Sequence, residues 1–265
     1  MIQVDYHMHT KRCGHATGEI EEYVAEAKKK GLREIGFSDH LPFVTHRDAQ
    51  YTMAMEELPE YHRDMEAAQA RHKDLTIRIG IEADYMEGKS EEIGKLIAGY
   101  PYDFVIGSVH FMRGWAFDDP REQDKWKNAD VNATYRRYYD LLQQSAKTRL
   151  YDIMGHCDLV KKFGHRSTED IQDLVDETAR IFKECGVAVE INTSGLRKPV
   201  KEIYPEISLL KIYQKHGVPI VFGSDAHAPG DVGADFGKAR GLALAAGYTE
   251  HQSYKARKVE RVHKL

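Results

Sequence analysis

Nine side chains able to bind a metal ion, His7, His9, His15, His40, Glu82, His110, His156, Asp225 and His227, lie at or just beyond the ends of short apolar runs. Mixed imidazole and carboxylate ligands suit divalent zinc, manganese or iron, and ligand type alone does not choose among the three. Ions held in this way lower the pKa of water and so supply a nucleophile near neutral pH. The strongest signals are His7-Met8-His9 and Asp225-Ala226-His227. In an extended strand residues i and i+2 project to the same side, so each pair can address one ion. One such pair is weak evidence, but two of them, each closing a β-like run, are hard to obtain by chance. Glu82 sits on the opposite face of its run from Ile77, Ile79 and Ile81. A carboxylate turned inward there is costly to desolvate unless it is paired or bound to metal. Taken singly, His15, His40, His110 and His156 would each read as structural histidines. As a set they share one rim.

That rim requires a frame. Short apolar runs alternate with amphipathic stretches, which predicts βα units and a parallel sheet. Strands are expected over residues 2–9, 34–38, 76–84, 103–110, 151–156, 187–192 and 219–224. Between them, Ile20, Tyr23, Val24 and Ala27 mark a helix ending at Gly31, and further helices are expected near 56–72 and 132–147. The clearest stripe is Ile171, Leu174, Val175, Thr178, Ile181 and Phe182, with Gly186 as its stop. Helical segments near 236–246 and 250–264 are expected to complete the chain. Seven strands predict an α/β fold, a distorted (β/α)7 barrel with its chemistry at the C-terminal ends of the strands. The 265 residues suffice for one such domain spanning 1–265.

Composition excludes several classes. A formal net charge of −4, without any long block of Lys and Arg, offers no general attraction to nucleic acid. No apolar run is long enough to span a bilayer, and the first residues lack the basic and apolar regions of a secretory leader, so a cytoplasmic protein with no membrane partner is expected. Cys13, Cys157 and Cys185 are odd in number and lack CxxC spacing, which argues against a disulfide framework. Oligomeric state is not legible.

The same residues carry a family resemblance. Tyr6-His7-Met8-His9-Thr10, Ser38-Asp39-His40, Gly80-Ile81-Glu82, Gly107-Ser108-Val109-His110, Gly155-His156 and Gly223-Ser224-Asp225-Ala226-His227 resemble, in order, the motifs of the PHP (polymerase and histidinol phosphatase) superfamily. Ser108-Val109-His110-Phe111, Gly114-Trp115-Ala116-Phe117-Asp118 and Glu190-Ile191-Asn192-Thr193-Ser194-Gly195 resemble its histidinol-phosphatase branch. The resemblance implies three divalent ions. His7, His9, Glu82 and Asp225 would hold one, Glu82, His110 and His156 a second, and His15, His40 and His227 the third. It further implies hydrolysis of L-histidinol phosphate by direct attack of a hydroxide bridging two ions, with Glu82 and Asp225 as catalytic ligands. Asp39, beside His40, is the candidate for protonating the leaving alkoxide. A general phosphoesterase for nucleotides or other small phosphate esters, and a non-catalytic metal-binding regulatory module, are the alternatives. The full ligand set and the lack of an attached domain weigh against the last.

Loops around the mouth must select the phosphate ester. Arg197, with Lys198, follows the sixth strand, and Lys161, Lys162 and Arg166 follow the fifth, so either cluster could hold the outer phosphate oxygens. Arg197 is favoured because it stands five residues past its strand. Trp115, Phe117 and Asp118 lie after the fourth strand, where they could close over an imidazole ring and supply a carboxylate to an ammonium group. Otherwise they form a local hydrophobic cluster. Of the other seven histidines most read as surface residues, with His46 of interest because it follows the second strand.

Overall fold

A computed structural model describes residues 1–265. In chain order it comprises β1 (Val4–Asp5), α1 (Ile20–Lys29), β2 (Glu34–Phe37), α2 (Leu58–Arg71), β3 (Thr76–Asp84), α3 (Ser90–Ala98), β4 (Phe104–Ser108), β5 (Phe111–Met112) and β6 (Trp115–Ala116). There follow α4 (Val131–Lys147), β7 (Ile153–Met154), α5 (Gln172–Cys185), β8 (Ala188–Asn192), α6 (Ile207–Lys215), β9 (Ile220–Gly223), α7 (Phe236–Ala246), β10 (Glu250–Lys255) and β11 (Lys258–Lys264). Seven strands form one parallel sheet in the order β1-β2-β3-β4-β7-β8-β9. Tyr6 N donates to Phe222 O (3.0 Å) and His9 N to Ala226 O (2.9 Å), which joins the first strand to the last and closes the distorted barrel.

The alternation along β3 explains how the layers separate. Ile77, Ile79 and Ile81 face outward into the main core, which lies between sheet and helices. A second, smaller core fills the lumen with Val4, Tyr6, Phe104, Ile106, Ile153, Ala188, Val221 and Tyr254. Tyr6 stacks on Phe104 with ring centroids 4.5 Å apart. Gly80 is required beside that stack, because a Cβ there would lie 2.3 Å from the Phe104 ring. The lumen is therefore packed below the rim, and only its upper end is open to chemistry.

Several strands are shorter than the apolar runs suggested. The first pairs only over Val4–Asp5 and the fifth over Ile153–Met154. His7, His9 and His156 thus stand past the named strands, with Met8 still bridged to Ala226. The helices α3 and α6 and the small hairpin β5-β6 were not expected, and the helix expected over 250–264 is absent. That segment is the antiparallel hairpin β10-β11, turned by Ala256 and Arg257 at φ 48° and 64°. A bulge between Ser253 and Tyr254 interrupts its two-residue alternation, while Val259 and Val262 stand at a helix-like spacing, so the β signal was masked. The hairpin caps the lower end of the barrel. Arg78 pairs with Glu34 (3.0 Å) and with Glu260, Arg257 pairs with Asp152, and Tyr254 N donates to the Tyr6 hydroxyl at 2.8 Å.

Two histidines expected at the surface are buried instead. His62 stacks on Tyr100 at 4.5 Å, and His251 lies under β11 with His263 at 4.9 Å. Each fills space on an apolar face as an aromatic ring. No helix is long and apolar enough to cross a membrane.

Candidate metal centre

The nine expected ligands meet at the upper end of the barrel, with Glu82 in the middle and 1% exposed. Its Oε2 lies 3.0 Å from His40 Nδ1, 3.3 Å from His7 Nε2 and 3.5 Å from His9 Nε2. Its Oε1 lies 3.1 Å from His156 Nε2 and 3.7 Å from His110 Nε2. Asp225 Oδ1 is 3.8 Å from His7 Nε2 and 3.5 Å from His9 Nε2. On the outer side His15 Nε2 and His227 Nε2 face each other at 2.9 Å. Their Nδ1 atoms lie at the carbonyls of Cys13 (2.9 Å) and Asp225 (3.1 Å), where they donate. With the protons placed there, two lone pairs point at one another, an arrangement that a shared cation would relieve. His7-His9-Glu82, His40-Glu82-His110 and His15-His40-His227 each present ligand atoms within 4.8 Å of one another.

Divalent ions fit this donor set. His7 Nε2, both ring nitrogens of His9, His40 Nδ1 and His156 Nδ1 are buried without a hydrogen-bond partner. So many unsatisfied polar atoms in one place call for an ion. Electrostatics agree. Burial opposes charge on Glu82, but His40 and His7 outweigh it and hold the carboxyl well below its usual range. Burial likewise opposes charge on Asp225, and His7, His9 and His227 overcome it. Burial together with neighbouring imidazoles drives His15 down to about 4 and His227 to about 3, which leaves them neutral and ready to ligate.

Behind the ligands stand carboxylates that sequence reasoning passed over as partners. Asp84 Oδ1 accepts from His110 Nδ1 at 2.8 Å, and with Asp118 it overcomes burial to raise that imidazole to about 10. Glu190 Oε1 accepts from His7 Nδ1 at 2.6 Å. Asp84 shares the lumen-facing set of β3 with Glu82, and the same alternation along β8 marks Glu190.

The ligands floor a pocket of about 740 Å³, walled by loops that include Gln50, Tyr51, Asp118, Arg121, Lys162 and Lys198. Lys162 Nζ is 2.9 Å from Asp118 Oδ2, and the Tyr51 hydroxyl is 3.4 Å from Asp118 Oδ1. Burial, with Lys162 nearby, pushes the Lys198 ammonium below its usual value. Arg197 does not face this pocket. Its Nη2 donates to the carbonyls of Ser224 (2.6 Å) and Asp225 (3.3 Å), and its Nε lies 3.4 Å from Asp231, because the short turn after β8 sends alternate side chains to opposite sides. Lys161 is buried against Asp158 (2.7 Å) and Glu202 (3.1 Å), and Arg166 pairs with Glu202 and Glu206. Both are structural ion pairs. Trp115 lines a neighbouring cavity and meets Trp126 at 4.9 Å, while Phe117 packs on Tyr138 at 5.6 Å in the main core. Of that segment's three candidates only Asp118 reaches the site. Asp39 lies beneath the ligands. Its oxygens accept from Thr10 N (2.7 Å) and Thr10 Oγ1 (2.5 Å), it stands 3.9 Å from His9 Nδ1, and burial pushes its carboxyl up to about 7. It is tied to Thr10 and does not line the pocket. His46 lines a separate, adjoining cavity.

Known proteins resemble this chain in sequence and fold. The PHP domain model matches residues 5–194, and a PHP-associated model matches 210–234. A protein of Deinococcus radiodurans named probable histidinol-phosphatase is 40% identical over 89% of this chain and 90% of its own length. The histidinol-phosphatase of Bacillus subtilis is 32% identical over 88% of this chain and 96% of its own. Among solved structures, histidinol phosphate phosphatase from Lactococcus lactis, complexed with zinc, L-histidinol and phosphate, superposes with a TM-score of 0.85 at 26% identity over 98% of this chain and 99% of that one. The chain belongs to the PHP family, on its histidinol-phosphatase branch.

Proposed function

We propose that the chain is a metal-dependent phosphatase that hydrolyses L-histidinol phosphate to L-histidinol and phosphate. One observation carries the reading: unpartnered buried imidazoles surround a bridging carboxylate at the floor of a pocket that also holds two lysines and a carboxylate. His7, His9, Glu82 and Asp225 would hold one ion, Glu82, His110 and His156 a second, and His15, His40 and His227 the third. Zinc, manganese or iron bound there would acidify a water and offset charge on the phosphoryl oxygens.

The protein's own groups then divide the substrate. Glu82 and Asp225, kept ionised by the surrounding imidazoles, set the negative charge at the floor. Lys162 and Lys198 at the wall neutralise the outer phosphoryl oxygens, the role first given to Arg197. Asp118 stays ionised despite burial because Lys162 and His110 lower its carboxyl, so it can receive the substrate ammonium. A single domain over 1–265, a cytoplasmic setting and a step of histidine biosynthesis complete the reading, with a small phosphate ester as the partner rather than nucleic acid or membrane.

Purified protein would be analysed for metals, reloaded with zinc, manganese or iron, and offered histidinol phosphate, nucleoside monophosphates and simple phosphate esters. The expected result is about three ions per chain and the highest kcat/KM for histidinol phosphate. Faster turnover of nucleotides would transfer the reading to a general phosphoesterase. No turnover of any ester by metal-loaded protein would end the enzyme reading.

A further inference from the structure

Six of the seven barrel strands end in candidate ligands, but β8 ends in none. Its lumen-facing residues serve the ligands on either side instead. Glu190, 1% exposed, accepts from His7 Nδ1 through Oε1 (2.6 Å). Through Oε2 it accepts from the backbone N–H of His156 (3.0 Å) and from Asn192 Nδ2 (3.0 Å). Two and four residues on, Asn192 Nδ2 lies 3.3 Å and Ser194 Oγ 2.9 Å from Asp225 Oδ2.

The ligands so held need holding. His156 and Asp225 are non-glycine residues at φ 27° and 51°, a region that side chains with a Cβ enter only when their surroundings impose it. The barrel leaves room for the bracket too: a Cβ on Gly223 would lie 1.9 Å from Glu190 Oε1 and 2.7 Å from His7 Cβ. The next strand therefore carries no side chain at the point where the carboxylate passes.

We propose that Glu190 is a positioning residue: one carboxylate fixes the ring tautomer and direction of His7 and the backbone of His156, so that ligands from β1 and β7 converge on Glu82. The inference rests on the metal-centre reading for its consequence, although the orientation of His7 is a property of the protein alone. A carboxylate is needed because every neighbour donates. A glutamine of the same shape would turn its NH₂ toward either His7 or the His156 amide, setting donor against donor.

The test is Glu190→Gln, with Glu190→Asp as the second variant. Ring nitrogen NMR on metal-free protein, taken at a pH high enough for the His7 ring to be neutral, is expected to show the His7 proton on Nδ1 in the parent and a mixed or reversed tautomer in E190Q. Metal titration against a chelator is expected to show the two ions that share Glu82 weakened about 10- to 100-fold, with the His15-His40-His227 ion unchanged and KM little moved. E190D keeps the charge but withdraws it by one methylene, so a positional role predicts failure to rescue. Parent-like tautomer and affinities in E190Q, or full rescue by E190D, would overturn the inference. If the parent takes up no ion, the metal-centre reading fails, and the tautomer spectra alone decide the role of Glu190.

Discussion

The two ends of the barrel bury charge in opposite ways. At the lower end Glu34 lies between Tyr6 and Arg78, Arg78 reaches on to Glu260, and Arg257 closes on Asp152, so each buried charge has a partner of the protein's own. At the upper end five ring nitrogens on His7, His9, His40 and His156 have none. Glu34 and Arg78 are buried as well, so burial alone is not what distinguishes a site. The distinction lies in whether the polar groups close on one another. Packing follows the same division, since the Tyr6-Phe104 stack and Tyr254 fill the lower lumen while a pocket of about 740 Å³ opens above the ligands.

Substitutions at the two ends should accordingly fail in different currencies. The largest effect is expected from Glu82→Gln, which removes the carboxylate that five imidazoles approach. It should cost on the order of 10³-fold in kcat and at least one ion per chain. Parent-like metal content and rate would erase the contrast between the ends. Tyr254→Ala should instead open a cavity in the lower core and lower unfolding stability by about 3–5 kcal/mol, while folded protein keeps its metal affinity. Denaturant melts paired with metal analysis would check this, and metal loss without destabilisation would count against the division.

Lys198→Ala and Lys162→Ala sharpen the contrast within the upper end. Each should reduce kcat/KM for the phosphate ester by about 10- to 100-fold with metal content intact, because neither side chain touches a ligand. Arg197→Ala should act otherwise, through the Ser224 and Asp225 carbonyls it holds: a several-fold weaker metal affinity with KM nearly constant. A pure KM effect would restore Arg197 to the phosphate. The smallest change is expected for Glu260→Ala at the partly exposed edge of the lower network, below about 1 kcal/mol in stability and none in kcat.

How much of this was legible can be judged residue by residue. β3 was bounded correctly at both ends because its alternation of Ile with Gly, Glu and Asp is uninterrupted for nine residues. The hairpin at 250–264 was misread because a bulge breaks its period, and a bulge is stabilised by the barrel floor it packs on rather than by local preference. Arg197 and Lys198 are neighbours in sequence with similar side chains, and only the turn geometry sends one to the Asp225 loop and the other to the pocket. Glu190 lies within a recognisable motif, yet its hydrogen bonds to residues 183 and 34 positions away lie outside any local pattern.

The sequence by itself determined the barrel class and the nine candidate ligands with their placement at strand ends, because period-2 alternation and ligand chemistry are properties of single segments. Tertiary structure alone decided which basic residues enter the pocket, that Asp39 lies outside it, that a hairpin plugs the lower end, and that Glu190 on β8 hydrogen-bonds to His7 and His156. Those outcomes depend on distances between segments that meet only once the sheet has curled and closed, and no local preference encodes them.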